Sequence, residues 1–300
     1  MARGLIGSMM KYVTRKSMKI RESGRSSDYI SPSFGFGCLY KCSYCYMRRH
    51  LPNGLTIANN PGQIFDKIFE HAFMLGPKTP NQTHDKFWTY DISCNEDFVL
   101  HSKYHDWEFI FNCFKECGLP IMATMATKYV NKKLLSYDAR DKNGDRRIRI
   151  RYSIMPQALS DKLEPNTSQI IDRIKAINDF YDAGYDVHIN YSPIIHYTGW
   201  LDDYQNLFEL VNDNVRNSVK KHVLSECIFM THNPKMHEYN KVNNVQGENY
   251  LWNPDIQETK VSQYGNTNIR YNRFYKKEYI KKFKVKHNSI VPWNKIRYIF

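Results

Sequence analysis

Three cysteines within eight residues constrain this chain more than any other feature. Residues 37–46 read GCLYKCSYCY and place Cys38, Cys42 and Cys45 at Cys-x3-Cys-x2-Cys spacing. A structural zinc site takes four protein ligands, usually as two Cys-x2-Cys knuckles, and here a fourth ligand is missing locally, so zinc is the weaker fit. A [4Fe–4S] cubane held by three thiolates keeps one iron corner open to an outside ligand, and that is the arrangement this spacing predicts. S-adenosylmethionine chelates such an iron through its amino and carboxylate groups. An electron from the cluster then splits its sulfonium to give a 5′-deoxyadenosyl radical.

The rest of the composition bounds the setting of this loop. The chain has 300 residues, 42% of them hydrophobic, which is enough for a sizeable core in one large domain or two ordinary ones and excludes intrinsic disorder. No stretch approaches the roughly 18 to 20 apolar residues of a membrane-spanning helix. The N-terminus carries Arg3, Lys11, Arg15 and Lys16 without a sustained apolar run or cleavage site, so it does not read as a secretory signal, and a cytoplasmic location is expected. The seven cysteines are an odd number for such a chain and argue for metal or redox chemistry over a disulfide framework.

The formal net charge is +13 and is unevenly spread. Residues 1–50 hold ten Lys and Arg against two acids, and residues 260–300 hold eleven against one, so two basic segments flank a mildly acidic body. Between positions 264 and 283, Tyr271, Phe274, Tyr275 and Tyr279 interleave with Arg270, Arg273, Lys276 and Lys277. That mixture suits phosphate neutralisation combined with base stacking, and nucleic acid is the expected partner.

Hydrophobic periodicity alternates strand and helix beyond the cysteines. Strands are expected at 31–36, 87–93, 120–124, 147–154, 186–191 and 224–230. Helices are expected at 63–75, 106–117, 167–183 with Thr167 as cap, and 202–222. Six parallel strands with outer helices predict an α/β fold, a partial (β/α)6 TIM-type barrel whose reactive groups gather at the carboxyl ends of the strands. Cys94, Lys128, Ser153, His232 and Asn233 fall at such ends. A basic, aromatic β-hairpin is expected from 260–264 and 269–274 around the turn 265–268, followed by a helix. The organisation predicted is a basic arm over 1–30, the barrel over 31–235 and a hairpin and helix contacting DNA over 236–300. His101, His105, Cys113 and Cys117 form two i,i+4 pairs capable of holding zinc. They are read instead as helix-core thiols and surface-loop histidines.

The cysteine loop identifies the chain as a member of the radical S-adenosylmethionine superfamily, and the sequence downstream resembles the spore photoproduct lyases. The likeness runs through ISCNED (92–97), TKY (127–129), RIRYSI (149–154), LEPNTS (163–168), DAGY (182–185), GWLDDYQNLFE (199–209) and QYG (263–265). It implies a DNA repair reaction on two thymines joined by a methylene bridge. The adenosyl radical takes a hydrogen from the lesion, and the bridging carbon–carbon bond breaks by β-scission. A cysteine thiol, matched by Cys94, then gives hydrogen to the thymine methyl radical, and two tyrosines, matched by Tyr44 and Tyr46, return hydrogen toward the adenosyl group. By the same resemblance Lys128 and Ser153 contact S-adenosylmethionine, Tyr264 wedges into the duplex, and Lys260, Arg270 and Arg273 meet phosphates. A reducing partner of flavodoxin or ferredoxin type is implied. The chain departs from the family in having Asn95 and Glu96 where small hydroxyl residues usually follow the donor cysteine, and Gln263 where an arginine usually precedes the hairpin tyrosine. Two other readings stand beside repair: radical modification of a thymine-derived base in DNA, and a non-catalytic iron-sulfur DNA-binding protein.

Overall fold

The computed structural model describes residues 10–261, 265 and 267–300. In chain order its strands are β1 (Met10–Val13), β2 (Arg21–Glu22), β3 (Tyr29–Ile30), β4 (Gly35–Phe36), β5 (Leu55–Ala58), β6 (Trp88–Asp91), β7 (Ile121–Thr127), β8 (Ile148–Ile154), β9 (Asp186–Ile194), β10 (Ser225–Phe229), β11 (Thr231–His232), β12 (Gln257–Val261), β13 (Thr267–Tyr271) and β14 (Ile296–Ile299). The main sheet has the order β14-β10-β9-β8-β7-β6-β3-β2. Every pairing in it is parallel except that of β2 with β3 at one edge. This is the curled α/β sheet expected of a partial barrel, with β14 as a seventh parallel strand that the sequence pattern did not reveal. β1, β2 and β3 all lie within the first thirty residues.

Strand β8 shows why the sheet has a polar inner face. Its IRIRYSI pattern alternates so that Ile148, Ile150, Tyr152 and Ile154 share one face and Arg149, Arg151 and Ser153 the other. Tyr152 packs on Phe180 of the Ile170–Asp182 helix, which places the apolar face outward under the helices. On the opposite face Arg151 reaches Asp91 of β6 at 2.6 Å and Glu226 of β10 at 3.2 Å, so oppositely charged partners satisfy the buried guanidinium from both sides. Arg297 of β14 donates to the carbonyls of Ser26 at 2.6 Å and Gln82 at 3.1 Å and pairs with Glu226. Ser26 and Gln82 precede β3 and β6, so these bonds draw the sheet together at the amino ends of its strands.

The outer helices bury apolar stripes at helical spacing. The Pro61–Leu75 helix buries Ile64, Ile68 and Ala72, and the Trp107–Glu116 helix buries Ile110, Phe111 and Phe114. The basic Arg273–Ile290 helix buries Tyr279, Phe283 and His287 and packs against the Trp200–Asn214 helix, where Phe283 meets Tyr204 and Phe208 edge-on. Burying Phe283 completely is worth about 2 to 3 kcal/mol, enough to fix this helix on the barrel despite its lysines.

Four expected elements differ in the structure. The first strand is not continuous over 31–36. Pro32 has no N–H to offer a ladder, and the chain leaves the main sheet after Ile30 and pairs again only as β4, antiparallel to β5. Thr167 does not cap its helix, which begins at Ile170, because its hydroxyl donates to the Glu164 carbonyl at 2.7 Å and accepts from Arg173 at 2.6 Å. The 202–222 helix is two, Trp200–Asn214 and Asn217–Lys220, separated where Asn178 donates to the Asn214 carbonyl and accepts from the Arg216 amide. The second hairpin strand stops at Tyr271, because Asn272 caps the helix that follows by accepting from the Tyr275 amide. Gln263 and Tyr264 lie outside the described residues.

Candidate active site

The cysteine loop hangs between β4 and β5, whose antiparallel pairing of Gly35 with Ile57 and Phe36 with Thr56 closes it like a clasp. Gly37 sits at φ +106°, and a Cβ there would meet the Gly54 carbonyl at 2.8 Å, so only glycine lets the two sides approach. The Gly37 amide donates to the Asn95 carbonyl at 3.1 Å, tying the loop to the segment after β6.

Cys38, Cys42 and Cys45 are all free thiols. Burial pushes Cys38 up to about 12, with Asp97 and Cys45 adding to the rise. Burial also raises Cys42 well above the ordinary thiol value, as it raises Cys45. Backbone N–H groups of Tyr40 and Asp97 face the Cys38 sulfur, and those of Met47 and Arg48 face Cys45. Buried thiols that receive amide hydrogen bonds are the donor set of an iron-sulfur ligand, because a coordinated cationic centre deprotonates them and the amides stabilise the thiolate charge. The residues present therefore fit a cluster bound by three cysteines.

Beside the loop, Lys128 faces the Tyr44 ring at 5.7 Å and lies 3.9 Å from Glu164, whose carboxylate also accepts from the Tyr44 hydroxyl. Glu164 pairs with Arg173 at 2.9 Å, and Arg173 donates to the Ser153 carbonyl at 2.8 Å. Lys128 and Ser153 are thus joined through two buried residues, Glu164 and Arg173, that sequence reasoning missed. The Ser153 hydroxyl accepts from Asn190 at 3.1 Å, and the Asn190 Oδ1 is buried without a partner, an acceptor suited to a ligand amine at this strand end. Asp97 joins two of the sequence motifs by accepting from the Thr127 hydroxyl at 2.7 Å and the Lys128 amide at 2.9 Å.

Cys94 follows β6 on the same carboxyl side. Its thiol is pushed up to about 11 by burial, reinforced by Asp91 and partly offset by Arg21, so it carries its proton at neutral pH. Tyr46 lies beside it, with its hydroxyl 2.7 Å from Asn95 Oδ1 and 3.2 Å from the Cys94 carbonyl. The two tyrosines therefore have separate partners: Tyr46 meets the Cys94 segment and Tyr44 meets Glu164.

His101 and His105, expected in a surface loop, are instead buried against Glu96. Glu96 accepts from His101 Nδ1 at 3.0 Å and His105 Nε2 at 2.9 Å, while His101 Nε2 accepts from the Leu39 amide inside the cysteine loop. A Cβ on Gly35 would overlap this carboxylate at 2.3 Å. Cys113 and Cys117 are part-buried on their helix and its end.

The hairpin strand β13 pairs with β11, which continues from β10, so it also stands at the carboxyl end of the barrel. Arg270, Arg273, Lys276 and Lys277 line one cleft with Ile280. Arg270 pairs with Glu258 at 2.9 Å, Arg273 is exposed, and Lys260 is exposed on β12. Lys276 is pulled down to about 8 by burial and by the charges of Arg270, Lys260 and Arg25.

No described helix is long and apolar enough to cross a membrane. The family model described as spore photoproduct lyase matches residues 7–300. Spore photoproduct lyase of Bacillus subtilis (strain 168) is 27% identical over 217 residues, 71% of this chain and 59% of the relative. That of Geobacillus sp. (strain Y412MC61) is 26% identical over 202 residues, 65% of this chain and 54% of the relative. The chain thus matches under two thirds of the length of either relative. Among solved structures, spore photoproduct lyase complexed with dinucleoside spore photoproduct superposes with a TM-score of 0.83 at 21% identity, over 97% of this chain and 82% of that one. A double mutant of spore photoproduct lyase with bound AdoMet and dinucleoside spore photoproduct gives 0.83 at 20% identity, with the same coverage of both chains. A shared fold and a family match over nearly its whole length lead to one assignment: this chain belongs to the spore photoproduct lyase family, within the radical S-adenosylmethionine superfamily.

Proposed function

We propose that this protein is a radical S-adenosylmethionine carbon–carbon lyase that reverses a methylene-bridged thymine dimer in DNA to two thymines. When bound, a [4Fe–4S] cluster and S-adenosylmethionine would together supply the 5′-deoxyadenosyl radical that removes one hydrogen from the lesion. Cys38, Cys42 and Cys45 would hold the cluster, and Lys128 with the Ser153–Asn190 pair would orient the cofactor's polar groups. Cys94 gives a hydrogen atom to the thymine methyl radical left by scission of the bridge. The observation that carries this reading is the position of Cys94 just beyond the carboxyl end of β6, with the Tyr46 hydroxyl of the cysteine loop 3.2 Å from its carbonyl. Tyr46, bonded to the same segment, and Tyr44 then quench the thiyl radical and return hydrogen toward the adenosyl group, a reading supported by the Tyr46 contacts with Cys94 and Asn95.

The cleft of Arg270, Arg273, Lys276 and Lys277, with Lys260 nearby, neutralises DNA phosphates, and Tyr264 acts at the lesion itself. A small reducing protein of flavodoxin or ferredoxin type supplies the electron, in a cytoplasmic setting. The proposed working units are a basic arm over 1–30, a catalytic barrel over 31–235 and a DNA-contact segment over 236–300, with β2 and β3 of the first and β14 of the last contributing strands to the barrel sheet. The test is 5′-deoxyadenosine formation by the anaerobically reconstituted protein, with and without lesion-bearing DNA, for the native chain and Cys94→Ala. Repair predicts that Cys94→Ala diverts the lesion to trapped by-products. Thymine modification continuing normally in the variant favours the base-modification reading, and DNA binding without any 5′-deoxyadenosine favours a non-catalytic one.

A further inference from the structure

Away from the three cysteines, His232, His237 and Glu248 each offer one ligand atom, and the three atoms lie within 4.8 Å of one another. His232 Nε2 is 2.9 Å and His237 Nδ1 2.6 Å from the same carboxylate oxygen, Glu248 Oε1. Three separate elements deliver them: β11 carries His232, the Pro234–Val242 helix carries His237, and Glu248 opens the Glu248–Leu251 turn of helix. Gly247 makes that approach possible, because it sits at φ +84° where a Cβ would overlap Leu163 at 2.2 Å.

We propose that these residues form a second metal site, distinct from the cysteine loop, that takes one zinc ion. Two imidazole nitrogens and a carboxylate oxygen are a ligand set for borderline divalent ions, and three protein ligands leave the fourth tetrahedral position to water. Each ring coordinates through the nitrogen that now faces Glu248, and its proton passes to the other ring nitrogen. The surroundings are those of a metal site. Asn240 Nδ2 holds the second carboxylate oxygen at 2.5 Å, and the Trp252 ring stacks on His237 at 3.8 Å, fixing two of the three ligands.

The site braces the cysteine loop. Asn240 Nδ2 also donates to the Ser43 carbonyl at 2.9 Å, and the Ser43 hydroxyl donates to the Gln246 carbonyl at 2.8 Å, so the 240–248 segment grips at two points one of the two residues between Cys42 and Cys45. An ion joining β11, the helix and Glu248 therefore locks the segment that holds Ser43.

The test is elemental analysis with zinc K-edge absorption on the anaerobic, cluster-loaded protein after exposure to Zn2+ and removal of excess. About one zinc per chain with a nitrogen and oxygen shell, lost at least fivefold in His237→Ala and Glu248→Gln while iron stays near the four of a cubane, is the expected result. Zinc near zero in the native protein overturns the proposal, as does a shell with sulfur at about 2.3 Å, which is zinc in the cysteine triad. So do variants that keep native zinc. Glu248→Gln keeps the side-chain shape, and its iron content reports folding. No turnover is read, so this result and the lesion assay stand or fall separately.

Discussion

The Tyr46 hydroxyl lies 3.2 Å from the carbonyl of Cys94 and 2.7 Å from Asn95 Oδ1, joining the residue after the last cysteine of the triad to the candidate hydrogen donor. Replacing Cys94 with Ala removes the thiol without disturbing these bonds, which use its backbone and its neighbour. Formation of thymine from a dinucleotide lesion is expected to fall at least tenfold, about 1.4 kcal/mol in the barrier, while 5′-deoxyadenosine still forms. Chromatography of both products in one reaction checks it, and undiminished thymine formation removes Cys94 from the mechanism.

Tyr44 and Tyr46 are expected to part company on substitution. Tyr44→Phe removes a donor from buried, charged Glu164 and should cost about 1.5 to 3 kcal/mol of stability. Tyr46→Phe, at a partly exposed site, should cost under about 1 kcal/mol yet slow repair. Denaturant melts beside repair rates separate the effects, and equal destabilisation by both variants would contradict the assignment.

Binding to DNA should weaken as pH rises through about 8, where Lys276 loses its proton and the cleft loses one positive charge. Lys276→Arg keeps the charge and should flatten the dependence between pH 7 and 9. Lys276→Gln should lower the slope of log affinity against log salt by about 0.9 if the residue meets one phosphate. Fluorescence anisotropy with labelled duplex measures both.

Glu96 links acid stability to the cysteine loop. Burial acts to raise its pKa, but the charge of His105 and hydrogen bonds from both histidines outweigh this and hold it down to about 2, below its ordinary 4.5. A depressed carboxylate stabilises the fold fully above pH 4.5, and that contribution fades as pH falls toward 2. The stability gap between the native protein and Glu96→Gln should be constant from pH 7 to about 4.5 and narrow below it. Urea melts across that range test it, and a gap that widens on acidification would refute it.

The cysteine triad and the alternation of strand and helix were legible because each is a local pattern: thiol spacing in one case, apolar periodicity in the other. Cys94, Lys128 and Ser153 were placed correctly at strand ends for the same reason. What stayed hidden depends on distant partners. β14 is four residues of ordinary sequence whose strand character comes from pairing with β10. Glu164 and Arg173 read as surface charges until folding buries them against each other. His101 and His105 looked like loop residues because nothing local announces that Glu96 turns inward beneath Gly35. Thr167 resembled a cap until Arg173 and the Glu164 carbonyl claimed its hydroxyl.

The most direct measurement gives the anaerobically reconstituted protein a synthetic methylene-bridged thymine dinucleotide, S-adenosylmethionine and a reductant, and follows lesion and cofactor together. Loss of the lesion with matching gain of thymine, through many turnovers per cofactor cleaved, is the predicted result. Cofactor cleaved steadily while the lesion stays intact would contradict the proposed repair activity.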